Sequence, residues 1–197
     1  MPTTSNNRPL IGERIVVIGN TSSGKSTLAA ELARVIGGEH VELDALHWTQ
    51  ADWQLPETAD FQADVRAAIE GVPRWACSGN YLSKVQEIVW PAADTLIWLD
   101  MPLRTVLRRV VSRSWRRWRE DELLWGTNRE VFWRHLKLWD QEESLISFAV
   151  QQHRRKQREY AAELADPRWA GLRKYRLRSP RAVAGFLERA EGGAVHG

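Results

Sequence analysis

Arg14-Ile-Val-Val-Ile-Gly19-Asn20-Thr21-Ser22-Ser23-Gly24-Lys25-Ser26-Thr27-Leu28-Ala-Ala-Glu-Leu-Ala-Arg-Val-Ile36 is the stretch that decides the fold. Its first six residues are a β-branched run ending in glycine, the pattern of a strand buried on both faces. Its last nine residues carry apolar side chains at helical spacing until Gly37-Gly38 stops them. Between the two lies Gly19-x-x-x-x-Gly24-Lys25-Ser26, a Walker A motif in its required strand-loop-helix context. The glycines let the backbone turn tightly and approach an anion with no Cβ in the way. Successive N–H groups and the positive end of the helix then face a phosphate. Gly19, Asn20, Thr21, Ser22, Ser23, Gly24, Lys25, Ser26 and Thr27 are therefore the expected nucleotide-binding set. Lys25 bridges β- and γ-phosphates as a catalytic point charge and Ser26 offers its hydroxyl to a metal, which makes ATP and Mg²⁺ the expected cofactors.

Outward from this loop, short apolar runs alternate with helical patterns. A second strand is predicted over His40 to Leu43, ending at Asp44, followed by a helix over 56–70. A third strand, Arg74 to Ser78, ends at Gly79-Asn80-Tyr81, and a fourth, Thr95 to Leu99, ends at Asp100-Met101-Pro102. Lys174 to Leu177 supplies a fifth strand and Pro180 to Ala190 a closing helix. This alternation implies a three-layer α/β fold of the P-loop NTPase kind, with a five-stranded parallel sheet and right-handed crossovers. From about 120 to 164 no strand is expected; the stretch reads as an inserted helical lid with a break at Gly126-Thr127. No Pro/Gly/Ser-rich linker divides the chain. One domain is expected over 13–190, with an acceptor-side segment near 45–71 and a lid near 113–160, between tails at 1–12 and 191–197.

Composition narrows the remaining classes. The one cysteine, Cys77, allows no intramolecular disulfide and no thiolate zinc cluster. No apolar run approaches the roughly 20 residues of a membrane-spanning helix, and Met1 to Arg14 lacks an apolar signal core, so a cytoplasmic protein without a membrane partner is expected. Net charge is only +3, yet seven arginines and no carboxylate fall between Met101 and Arg119, so an anion is expected on that surface.

Together, Gly19 to Thr27, Leu43-Asp44-Ala45-Leu46-His47-Trp48, Trp53, Ser78-Gly79-Asn80-Tyr81 and Trp98-Leu99-Asp100-Met101-Pro102 with its arginine helix resemble the DNA-topology-modulation (FlaR-type) proteins, an adenylate-kinase-like group. The resemblance runs from about Arg14 to Leu187. It implies a nucleoside-monophosphate-kinase-like fold and a small kinase that moves the ATP γ-phosphate to a small-molecule acceptor. The wider resemblance, to shikimate and gluconate kinases, places an acidic residue after the second strand facing the acceptor; here that is Asp44, able to orient or deprotonate a hydroxyl. By position after Asp-x-Pro, Arg109 and Arg113 match arginines that contact ATP, and their spacing of four sets them on one helix face. One of Arg154, Arg155 and Arg158 is expected to return to the phosphates. Asp100 sits where a Walker B acid influences Mg²⁺. His47 reads equally as a packed imidazole or a substrate ligand. The acceptor side departs from nucleoside-monophosphate kinases: between Asp44 and Gly71 the only arginine is Arg66, and Lys84 follows Gly79-Asn80-Tyr81. An acceptor phosphate calls for bidentate guanidinium contacts, so a hydroxyl-bearing or otherwise different acceptor is expected in place of AMP.

The chain has 11 tryptophans. Trp48, Trp53, Trp75, Trp90 and Trp98 stand near predicted strand ends and read as core or hinge packing. Trp115, Trp118, Trp125, Trp133 and Trp139 are mixed with arginine, which keeps open a nucleotide-gated module that stacks on nucleic-acid bases.

Overall fold

The structure is a computed structural model and describes residues 10–47, 56–120, 123–124, 128–129 and 145–194. Its five principal strands are β1 (Arg14–Gly19), β2 (Glu39–Glu42), β3 (Trp75–Ser78), β4 (Thr95–Leu99) and β7 (Arg173–Leu177). They form one sheet in the order β2-β3-β1-β4-β7, and every pairing is parallel. The fold is a three-layer P-loop α/β architecture with β1 at the centre.

The two layers of helices follow from the two-residue period of the strands. Ile15 and Val17 of β1 and Ile97 and Leu99 of β4 join one core with Leu28 and Leu32 of α1 (Lys25–Ile36), Val106 and Val110 of α5 (Leu103–Glu120), and Phe186 of α7 (Pro180–Ala194). Their neighbours Val16, Ile18, Leu96 and Trp98 point to the other face. There they pack with Phe61 and Val65 of α3 (Thr58–Ile69), Val85, Val89 and Trp90 of α4 (Leu82–Ala92), and Tyr160 of α6 (Leu145–Ala165). Trp75, Trp90 and Trp98 are fully buried, as packing residues at strand ends should be. Trp48, Trp53, Trp125, Trp133 and Trp139 lie outside the described residues.

Side-chain chemistry fixes the start of the central strand. Asp94 Oδ2 accepts from the Glu13 and Arg14 amides, each at 2.9 Å, and Asp94 Oδ1 accepts from Thr95 Oγ1 at 2.7 Å. The turn before β4 is thereby tied to the start of β1.

Three details differ from the sequence expectation. The second strand stops at Glu42, because Leu43–His47 closes a short helix, α2, that buries Leu43 and His47. Asp44 therefore stands in the first helical turn after β2 and not at the strand's last position. Within the stretch expected to be free of strands, β5 (Leu123–Leu124) and β6 (Asn128–Arg129) pair antiparallel across residues 125–127, a separation suited to a hairpin. The closing helix continues to Ala194, past the expected tail boundary, and Glu191 on it pairs with Arg34 at 2.6 Å. Of the lid expected over 113–160, residues 121–122, 125–127 and 130–144 lie outside the described residues.

Candidate functional site

All five parallel strands deliver their carboxyl ends to one edge of the sheet, the edge at which α/β folds of this kind bind ligands. The phosphate loop lies there at the end of β1. Gly19 has φ +152°, and a Cβ on it would come 2.7 Å from the Leu99 carbonyl oxygen, so the close approach of loop to β4 demands glycine. Gly24 has φ +97°, and Ser22 holds a left-handed conformation at φ 57° with a side chain attached. A non-glycine residue in that region stores strain, which concentrates at ligand sites.

Gly24 is also the N-cap of α1, with no side-chain cap hydrogen bond and no acidic residue in the first turn. The N-terminus of a twelve-residue helix thus faces the loop without a side-chain cap from its N-cap residue. Two buried hydroxyls of the loop, Ser22 Oγ and Ser23 Oγ, have no hydrogen-bond partner among the described residues. Buried polar atoms of this kind are exceptional, and an anion in the cradle satisfies them. Lys25 is 8% exposed, and its Nζ donates to the Asn20 carbonyl at 3.0 Å. Arg109, from the inner face of α5, donates through Nη1 to the Ser23 carbonyl at 2.6 Å; a Cβ on Gly24 would lie 3.2 Å from that nitrogen. Ser26 follows Lys25 in the first turn of α1, half-buried, and Thr27 is exposed. The loop so brings together Lys25, Ser26 and Arg109 of the expected set. Arg113 lies one turn farther along α5, and its side chain is outside the described residues.

Asp100, 8% exposed at the end of β4, is already engaged on both oxygens. Gln157 Nε2 donates to Oδ1 at 2.6 Å, and Arg176 donates to Oδ2 through Nε at 3.0 Å and Nη2 at 2.8 Å. Arg178 Nε stands 3.5 Å from the same oxygen. Arg176 also lies over the face of Trp98, its Cζ 4.1 Å from the ring centroid. Direct coordination of a cation by Asp100 would have to displace these donors, so the carboxylate fits a place outside the inner coordination sphere. Among the described residues no cluster of three or more His, Cys, Asp or Glu side chains could hold a metal by itself.

On the other side of β1, Tyr81 donates its hydroxyl to Asp44 Oδ1 at 2.8 Å, joining the residue after β2 to the turn after β3. His47, 3% exposed, packs between Phe61 and Tyr81 with ring centroids at 4.7 and 4.4 Å. Burial first, then the nearby Lys84, pushes the imidazole pKa below its ordinary value, with Asp44 opposing. His47 thus backs Tyr81 by ring packing. Arg66 is exposed and Lys84 half-buried.

Sequence reasoning passed over the residues of α6 that reach this edge. Arg154 and Arg158 are exposed, and Arg155 turns outward to Glu159 at 2.7 Å. His153, Gln157 and Tyr160 are the residues that touch strand ends: Asn20 Nδ2 meets His153 Nδ1 at 2.7 Å, and Tyr160 donates to Asn80 Oδ1 at 3.1 Å. Their spacing of four and three was the available signal, since it puts all three on one helix face.

No model of a known protein family matches the sequence, and no curated protein matches it. Solved structures do. A gluconokinase from Sinorhizobium meliloti aligns over 95% of this chain and 94% of its own, at 18% identity and a TM-score of 0.52. A shikimate kinase from Bacteroides thetaiotaomicron aligns over 91% of this chain and 96% of its own, at 14% identity and a TM-score of 0.49. A sugar kinase from Janibacter aligns over 93% of this chain and 99% of its own, at 17% identity and a TM-score of 0.47. At these identities the similarity speaks to the fold alone, and the likeness to the gluconokinase, whole chain on whole chain, shows that the two share it.

Proposed function

We propose that this chain is an ATP·Mg²⁺-dependent phosphotransferase that moves the γ-phosphoryl group to a hydroxyl of a small-molecule acceptor. The observation that carries the reading is the phosphate loop itself. An uncapped helix N-terminus, two buried seryl hydroxyls without partners among the described residues, Lys25 and Arg109 converge at the carboxyl end of the central strand. Lys25 and Arg109 hold charge that grows on the phosphoryl oxygens during transfer, and their fixed positions mean that little reorganisation is needed. Arg113, four residues after Arg109, is the further candidate for that set. Ser26 would hold Mg²⁺, which would offset the negative charge of the nucleotide phosphates. Asp100 acts at one remove, through Gln157 and Arg176.

Asp44 serves the acceptor. Tyr81 fixes one carboxylate oxygen, which orients the other towards an incoming hydroxyl. As the acceptor oxygen forms its bond to phosphorus, the bond from phosphorus to the β–γ bridging oxygen breaks, ADP departs, and Asp44 takes the hydroxyl proton. The scarcity of guanidinium groups on this side, with Arg66 exposed, supports an acceptor without a phosphate of its own. The fold shared with the gluconokinase is consistent with a polyhydroxylated acceptor. The narrower kinship with DNA-topology-modulation proteins rests on motif order and belongs to the same proposal.

The test is to incubate the protein with γ-labelled ATP and Mg²⁺ against nucleosides, nucleotides, sugar acids and polyols. One labelled, phosphorylated polyol or sugar acid is the expected result. Label transferred only to a nucleoside monophosphate would overturn the acceptor assignment.

A second reading has one observation in its favour. Arg104, Arg108, Trp115 and Arg119 lie on one exposed face of α5, with Trp115 46% exposed. Arginines beside an exposed indole suit a nucleic-acid backbone and its bases. Retention on single-stranded DNA that fades steeply with salt, and changes when ATP is added, would favour this reading.

A further inference from the structure

The inward face of α6 carries His153, Gln157 and Tyr160, and each touches the carboxyl end of a different strand. Tyr160, 1% exposed, donates to Asn80 after β3; Gln157 donates to Asp100 after β4; His153, 5% exposed, meets Asn20 after β1. Asn20 is the hub of the phosphate loop. Its carbonyl accepts from Lys25 Nζ at 3.0 Å and from the Ser23 amide at 3.1 Å, while its side-chain amide meets His153 Nδ1 at 2.7 Å. An amide nitrogen has no lone pair to offer, so Asn20 donates and Nδ1 accepts. That requires the neutral imidazole with its proton on Nε2. Burial favours the same form, lowering the His153 pKa against the opposing pull of Asp100.

We propose that His153 is a positioning residue of the phosphate site: through Asn20 it sets the turn that holds Lys25, with Gln157 and Tyr160 anchoring α6 so that this contact is fixed relative to β3 and β4. The geometry stands on its own, and only the consequence for turnover rests on the phosphotransferase reading. A site residue held by an outer contact from a rigid helix keeps its alignment during the reaction, whereas one held by a loop alone drifts. His153 touches no phosphate in this account; it acts on Lys25 at two removes.

The experiment is a double-mutant cycle on the full-length chain, with Asn20→Ala, His153→Ala and the double variant. Two quantities are read: binding of a fluorescent, non-hydrolysable ATP analogue with Mg²⁺, and the rate of γ-phosphate loss from ATP. His153→Ala should weaken analogue binding by about threefold to tenfold, the worth of one hydrogen bond. Turnover should slow by at least as much. The double variant should be no worse than the poorer single variant, because both changes remove one contact. His153→Asn, which returns an oxygen acceptor near the site of Nδ1, should recover most of the loss. Should His153→Ala fail to fold, the same cycle is run with His153→Phe, which keeps a ring in the space and removes the Nδ1 acceptor. Additive losses, wild-type behaviour of His153→Ala, or a lowered melting temperature with unchanged binding and turnover would each overturn the inference. If the wild-type chain bound the analogue but moved the γ-phosphate neither to water nor to any acceptor of the panel, the binding cycle would still decide the inference, and the phosphotransferase reading alone would fall. If it bound no nucleotide, both would fall.

Discussion

Asp44 and Tyr81 form the pair on which acceptor chemistry turns in this account. Asp44→Asn keeps the shape and removes the charge, so transfer should slow by about 10²- to 10⁴-fold, the usual contribution of a positioned base, with ATP affinity within a few-fold of wild type. Steady-state kinetics beside a nucleotide-binding titration checks this. Equal losses in both would move Asp44 to the metal site. Gly19 gives a second expectation, of stability. Its φ of +152°, and the 2.7 Å that would separate an added Cβ from the Leu99 carbonyl oxygen, mean that Gly19→Ala must strain the loop or push β1 from β4. A loss of about 1–3 kcal/mol in a denaturant melt is expected, and an unchanged midpoint would contradict the close approach. The phosphate loop was legible residue by residue, because every position of a strand-loop-helix cradle lies within fourteen residues of sequence, Arg14 to Thr27. His153 was not: its contact with Asn20 spans 133 residues, and it sits among arginines whose charge drew the reading outward.

At the level of elements, strands were readable wherever apolar runs ended in Gly or Asp, and the five parallel strands fall within a residue or so of the expected positions. The second strand was misjudged at its end, since Leu43 continues the apolar run by composition yet starts a helix by packing. The tie between β1 and the turn before β4 also escaped the sequence, because an Asp before a strand reads as a turn former and gives no hint of which distant amides it binds. Asp94→Ala removes acceptors for the Glu13 and Arg14 amides and should cost about 1–2 kcal/mol, with the nucleotide loop at the far end of β1 still competent to bind. Unaltered thermal stability would show that the sheet edge is fixed by strand pairing alone.

For the molecule as a whole, three buried or half-buried histidines give a common pH response. Burial is the leading cause that lowers the pKa of His40, His47 and His153 from the ordinary 6.5. The folded chain thus prefers neutral imidazoles and binds fewer protons than the unfolded chain once pH falls below about 6.5. Stability from these groups is present in full above that value and is lost as pH drops through it towards the lowered folded values. The melting temperature should decline between pH 7 and pH 5.5, before most carboxylates titrate; a flat profile there would contradict the burial of these rings. Composition and motif order were enough to indicate a parallel α/β sheet with a phosphate-loop motif at its central strand, while the assembly of Asp100, Gln157 and Arg176 from three separate elements needed the folded chain. The central claim is that the loop around Lys25 drives phosphoryl transfer. The most direct measurement compares wild type with Lys25→Ala for transfer of labelled γ-phosphate to the acceptor found in the panel, with circular dichroism to confirm folding. The account predicts loss of transfer by roughly three orders of magnitude or more in a folded variant that still binds nucleotide weakly, in keeping with removal of charge stabilisation at the transferred group. A folded Lys25→Ala protein that transfers phosphate at near wild-type rate would contradict it.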